Sequence, residues 1–331
     1  MKARLIVMTA IVGLLAVGVM MRPAAEQGVP VDTPAAAPGG GPTDGAAARA
    51  DATIDSVRLL VALSVLAHDS MEWRAAGSEG AARARRCLVD ELGEIGVTPL
   101  GDAHEHAFPM GDRGTGVNLL GRIPGRTDGP WIVLGAHYDH EGIRDGQVYN
   151  GADDNASGTA AVLEIARVLV ADPPEHPVLV ALWDDEGQGL RGARAFAADP
   201  PVPLEDIALN VNLDMVSRTG GLLWAGGAHH TPALRPVLEA VAAGAPLDLR
   251  LGHDRPNAPE GDDWTMQSDH AAFHEQGVPF VYFGVEDHPD YHRPTDDVER
   301  VDPGEFVRSA RAILMAVRAL DAALPLPPPT P

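Results

Sequence analysis

Five short stretches carry residues whose types and spacing suit metal-assisted chemistry. AHYDHEG, Ala136 to Gly142, sets His137 two residues before Asp139, and NGADDNASG, Asn150 to Gly158, holds the acid pair Asp153 and Asp154. NLDMVSR brings Asp214, and GVEDHPDYHRPTDD brings His292. WDDEGQGLRGA, Trp183 to Ala193, opens with Asp184, Asp185 and Glu186 directly after an apolar run. Neutral imidazole and carboxylate are what zinc takes where thiolates are absent, and a carboxylate can bridge two ions. His137, Asp154, Asp214 and His292 are therefore the candidate ligands, with a nearby free glutamate to take a proton from an activated water. Asp139, two residues past His137, can orient that imidazole or its metal from behind.

Each motif taken alone has a plainer explanation. An isolated His-x-Asp is usually a solvated loop, and acid pairs commonly cap helices because negative charge is favoured at a helix N-terminus. Asp214 alone is a turn former and His292 alone a surface histidine. What lifts them is position: each follows a different apolar run. His68, His104, His106, His176, His229, His230 and His253 lack that setting and read as surface or loop residues.

The elements that must position these residues follow from hydrophobic period. Short continuous apolar runs predict strands over Val117–Ile123, Trp131–Gly135, Val178–Trp183, Ile207–Leu213, Leu222–Ala225, Leu247–Leu251 and Pro279–Val285. Helical spacing appears from Ile54 to Val65 and over Ser78–Ile95, Thr159–Val170, Pro232–Ala243 and Gly304–Ala323. Alternation of the two is the signature of an α/β fold whose sheet is covered on both faces. In open sheets of this kind ligands bind beyond the carboxyl ends of the strands, which is where the five stretches lie.

Composition narrows the partners. A formal charge of −22 on 331 residues argues against a nucleic-acid role, since phosphate binding needs clustered Lys and Arg. The one cysteine, Cys87, excludes an internal disulfide and a cysteine metal cluster, and its helical neighbourhood predicts a packed thiol. Lys2 and Arg4 precede an uncharged stretch from Leu5 to Met21, so residues 1–22 read as a signal peptide or an uncleaved signal anchor. No small-x-small cleavage site follows directly, which favours the anchor. Either form implies export, with membrane contact only through this segment. Residues 23–52, rich in Ala, Pro and Gly, read as a flexible linker, 53–323 as the folded domain, and 324–331 as a Pro-rich disordered tail.

The order HYD, GADDNASG, an acidic motif before GLRGA, NLDMVSR, SDHAAF and DYHRPTDD resembles the two-zinc aminopeptidases of the aminopeptidase Y and bacterial leucyl aminopeptidase type. The match runs over roughly Gly116 to Ala323. It implies a single three-layer α/β/α domain with a mixed, mainly parallel sheet, the phosphorylase/hydrolase-like zinc exopeptidase fold. It also implies two zinc ions and removal of N-terminal residues from peptides or proteins. Carried over by position, His137 and Asp214 would hold one zinc, His292 the other, and Asp154 would bridge them. Tyr291 falls where the family can place a phenol that steadies an oxyanion, and Asp269 and His270 of SDHAAF fall where relatives line the pocket.

One departure stands out. Relatives usually carry two consecutive glutamates before x-G-L-x-G, the first a general base and the second a ligand of the His292 zinc. Here Glu186 takes the first place and Gly187 the second. Three accounts follow. Glu186 is still the base and the His292 site is short of a ligand; or the loop shifts, with Asp185 as fallback base and Glu186 on the metal; or the fold survives as a catalytically silent binding domain. The first is favoured, because the other matching groups persist. Glutaminyl cyclase, a related activity on the same fold, ranks low because its single metal relies on the glutamate missing at 187.

Overall fold

The computed structural model describes residues 53–142, 146–256, 259 and 262–326. The expected leader (1–22), the linker up to residue 52 and the tail from residue 327 lie outside them. Among the described residues no helix is long and apolar enough to cross a membrane.

Nine strands form one mixed sheet: β1 (Thr98–Pro99), β2 (Glu105–Pro109), β3 (Thr115–Ile123), β4 (Trp131–His137), β5 (Val178–Trp183), β6 (Ile207–Leu213), β7 (Leu222–Gly226), β8 (Asp248–Leu251) and β9 (Phe280–Gly284). The order is β1-β3-β5-β4-β6-β9-β7-β8, with β2 also on β3. Its centre, β5-β4-β6-β9, is parallel. Antiparallel pairs join β3 to β5 on one side and β7 to β9 on the other. The predicted strands all appear within a few residues; β1 and β2 were not expected, and β2 buries little beyond Phe108.

The central strands are buried on both faces, which is why they read as unbroken apolar runs rather than alternating ones. Along β5, Val178, Val180 and Leu182 join the larger core, while Leu179, Ala181 and Trp183 join a second core on the opposite face. The larger core is closed by α1 (Ser56–Leu66), α2 (Glu79–Ile95), α3 (Gly158–Ala171), α5 (Leu234–Gly244) and α7 (Pro303–Ala322). The opposite face is closed by α4 (Arg191–Ala198) and α6 (His270–His274), through Phe196 and Phe273 against Trp183. These are the three layers the sequence implies.

Helix ends follow local chemistry. Asp55, Ser78 and Asp302 accept hydrogen bonds from first-turn N–H groups of α1, α2 and α7, and Gly96 ends α2 in the left-handed conformation. Three expectations need correction. Cys87 is exposed rather than packed, because Ala84, Leu88 and Leu92 form the buried stripe of α2 and Cys87 faces away from it. His104 and His176 are buried, not superficial: Nδ1 of His104 lies 2.9 Å from Leu120 O and that of His176 lies 3.0 Å from Asp321 Oδ1. Leu324 and Leu326, in the expected tail, pack against the core.

Candidate metal centre

The chain leaves β4 toward β5 on one side and later returns to β6 on the other, so the sheet has a topological switch point beside β4. His137 is the last residue of β4, Asp214 follows β6 directly, and Asp154 sits in the turn Ala152–Ser157 leading into α3. Nε2 of His137 lies 3.3 Å from Asp214 Oδ1 and 3.4 Å from Asp154 Oδ1. The three side chains are buried and offer ligand atoms within 4.8 Å of one another. Zinc held at about 2.0–2.1 Å by a tetrahedral set spaces its ligand atoms about 3.3–3.4 Å apart, so this triad fits the ion. On its other side the His137 ring sets Nδ1 3.2 Å from the backbone O of Asp139, with the Asp139 Oδ1 at 3.6 Å.

His292 approaches from the loop after β9. Its Nε2 lies 3.0 Å from Asp154 Oδ2, so Asp154 presents one oxygen to each histidine. His137 is 4% exposed at the side chain and His292 45%, which makes the His292 half the open one. The hydrogen bond to Asp154 raises the pKa of His292. Burial works against the Asp154 carboxylate, yet His140, His292 and His137 hold its pKa well below the usual range.

Glu186 lines the same cavity as His137, Asp154, Asp214 and His292, a cleft of about 490 Å³. Its backbone N–H donates to Asp139 Oδ1 at 3.2 Å. Burial pushes the Glu186 carboxyl well above its usual range; His137 opposes the rise, and Asp269, Asp214 and Asp139 add to it. Asp269 is raised in the same way, first by burial, and neither of its oxygens has a hydrogen-bond partner among the described residues. Crowded buried acids of this kind are what a bound cation neutralises.

The register at the acid run is fixed. Leu190 N donates to Glu186 O, Arg191 N to Asp185 O and Gly192 N to Asp184 O, closing the loop without a slip. Asp185 is corrected as fallback base: its fully buried carboxylate is held by both Nη atoms of Arg113, with Arg191 Nε at 4.0 Å. Asp184 is structural, accepting from Val117 N at 2.9 Å. Gly187 has no steric reason to be glycine. A Cβ there would meet nothing within 4 Å, and its φ lies outside the left-handed region.

Residues 118–317, more than half of the chain, match the model of peptidase family M28. The chain belongs to peptidase family M28. A probable leucine aminopeptidase of Arthroderma otae is 26% identical over 206 residues, 58% of this chain and 54% of that protein. Aminopeptidase YwaD of Bacillus subtilis is 29% identical over 217 residues, 61% of this chain and 44% of that protein. The chain thus spans about half the length of the curated relatives it matches. A solved aminopeptidase from Aneurinibacillus sp. strain AM-1 shares the fold at a TM-score of 0.64 and 15% identity, over 82% of this chain and 95% of that one.

Within this M28 site Tyr291 lines the cavity and stacks on His292 with ring centroids 3.9 Å apart. Burial, then Asp154 and Asp214, raises its pKa, so the phenol keeps its proton. His270 is corrected as a pocket residue. It does not line the cavity, and neither does Asp269; His270 packs 4.7 Å from both Phe280 and Tyr282, and burial lowers its pKa to about 3.

Several positioning groups escaped the sequence reading. Arg74, fully buried, donates to Tyr138 O (2.7 Å), Leu66 O (2.6 Å), Asn150 O (2.9 Å) and Gly151 O (3.1 Å), tying the His137 loop to the Asp154 loop. Asp296 accepts from the N–H groups of Asp153 and Asp154, and Asp153 in turn holds Ser217 and His288. His140, buried, lies with Nδ1 3.6 Å from Asp154 Oδ2. Only His140 left a signal, as the second histidine of HYDH.

Proposed function

We propose that this chain is an exported metal-dependent aminopeptidase that removes N-terminal residues from peptides or proteins. The observation that carries the reading is the meeting of His137, Asp154, Asp214, His292 and Glu186 in one cleft at the carboxyl ends of four parallel strands. His137 and Asp214 would hold one zinc and His292 the other, with Asp154 between them. Bound zinc supplies a Lewis acid for the scissile carbonyl and lowers the pKa of a water to about 7.

The chain's own groups complete the chemistry. Asp139 holds the His137 imidazole from its Nδ1 side. Glu186 takes the proton of the attacking water and passes it to the leaving amine. The Tyr291 phenol donates toward the developing oxyanion. Glu141 and Asp287, which are not among the proposed ligands, also line the cleft and offer carboxylates to the ammonium of a peptide N-terminus. Export rests on Lys2, Arg4 and the uncharged stretch Leu5 to Met21.

The test is release of an aminoacyl reporter by zinc-replete protein, abolished by a chelator and restored by zinc. Glu186→Gln should lower kcat by about 10²–10⁴-fold with zinc content unchanged. Zinc-replete wild type that cleaves no aminoacyl reporter would overturn the reading.

A further inference from the structure

We infer that Glu141 is the positioning residue of the His292 half of the metal centre and supplies the carboxylate charge that this half lacks at position 187. The inference rests on the two-ion reading above. Its basis is a symmetry in the site. His137 has Asp154 Oδ1 3.4 Å from Nε2, and on Nδ1 the Asp139 backbone O at 3.2 Å with the Asp139 Oδ1 behind it at 3.6 Å. His292 has Asp154 Oδ2 3.0 Å from Nε2 and Glu141 Oε1 3.6 Å from Nδ1. Each imidazole is thus set between the shared Asp154 and a carboxylate of its own, and both of those carboxylates come from the loop that follows β4.

A neutral imidazole carries one proton. A carboxylate facing Nδ1 keeps it there and leaves the Nε2 lone pair for a metal. For His137 burial helps to fix the ring. His292 is 45% exposed even with Tyr291 stacked on it, so its ring is held less by burial than that of His137 and depends more on a charged partner. Glu141 is 15% exposed, screened enough from water to act as one. Charge points the same way: Gly187 leaves Asp154, shared with the other half, as the carboxylate facing His292 Nε2, and Glu141 adds a second negative group on the Nδ1 side.

The experiment measures stepwise zinc binding to metal-free protein by calorimetry for wild type, Glu141→Gln, Glu141→Asp, Gly187→Glu and the Glu141→Gln, Gly187→Glu double variant. Glu141→Gln should weaken the second zinc by about 10–100-fold while leaving the first unchanged. Glu141→Asp should recover part of the loss. The penalty should shrink on the Gly187→Glu background, where a carboxylate is restored. An unchanged second affinity, equal weakening of both zincs, or a wild type that binds a single zinc would overturn the inference. Absence of peptide turnover with this zinc pattern intact would sink the proposed activity and leave the role of Glu141 standing.

Discussion

Gly187 and Glu186 are neighbours with opposite standing: in the proposed reaction Glu186 carries the proton chemistry, while Gly187 carries no side chain at all. Because a Cβ at 187 meets open space and φ there is ordinary, Gly187→Glu should fold normally. It should tighten the second zinc and raise peptide turnover, as read by metal titration and a reporter assay; a variant that gains neither would mean that position 187 does not face the His292 ion. The ligand candidates were legible because each is a chemically scarce type beyond the carboxyl end of an apolar run, His137 and Asp214 at the strand end itself and Asp154 and His292 further along the loops. Asp185 shows where that reading stops: its neighbours in sequence made it a plausible base, and only the fold reveals that Arg113, 72 positions away, holds it.

Between single residues and the whole domain lie the loops at the carboxyl ends of β4, β5, β6 and β9. The strands themselves were legible, since burial on both faces forces unbroken apolar runs. The short elements β1, β2, α4 and α6 were not, because runs of 2, 5, 8 and 5 residues carry too little period to read. Arg74 was also invisible, a lone arginine between two helices whose partners are backbone carbonyls from distant loops. Burial lowers its pKa to about 10, so it remains charged at neutral pH. Arg74→Met should leave those buried carbonyls without donors and destabilise the domain by about 3 kcal/mol or more. Urea denaturation measures that loss; a change within about 0.5 kcal/mol would show the clamp to be dispensable.

At the scale of the molecule, the fold carries buried acids that its metal-free form holds at a free-energy cost. The proposed zinc would bind the native state, so a chelator should lower the Tm, by the equivalent of about 4 kcal/mol per ion where free zinc stands at 1,000 times Kd. Away from the ligands, burial first, and then Asp139, pushes Asp184 up to about 7, whereas an unfolded chain holds an aspartate near about 3.9. The folded state therefore binds the extra proton between those values. Its contribution to stability is fully present below about pH 4 and is lost as pH rises through about 7. Asp184→Asn cannot titrate, so metal-free wild type should lose more stability than this variant between pH 5 and pH 8. Urea midpoints at the two pH values decide it, and equal slopes for the two proteins would place the Asp184 proton elsewhere.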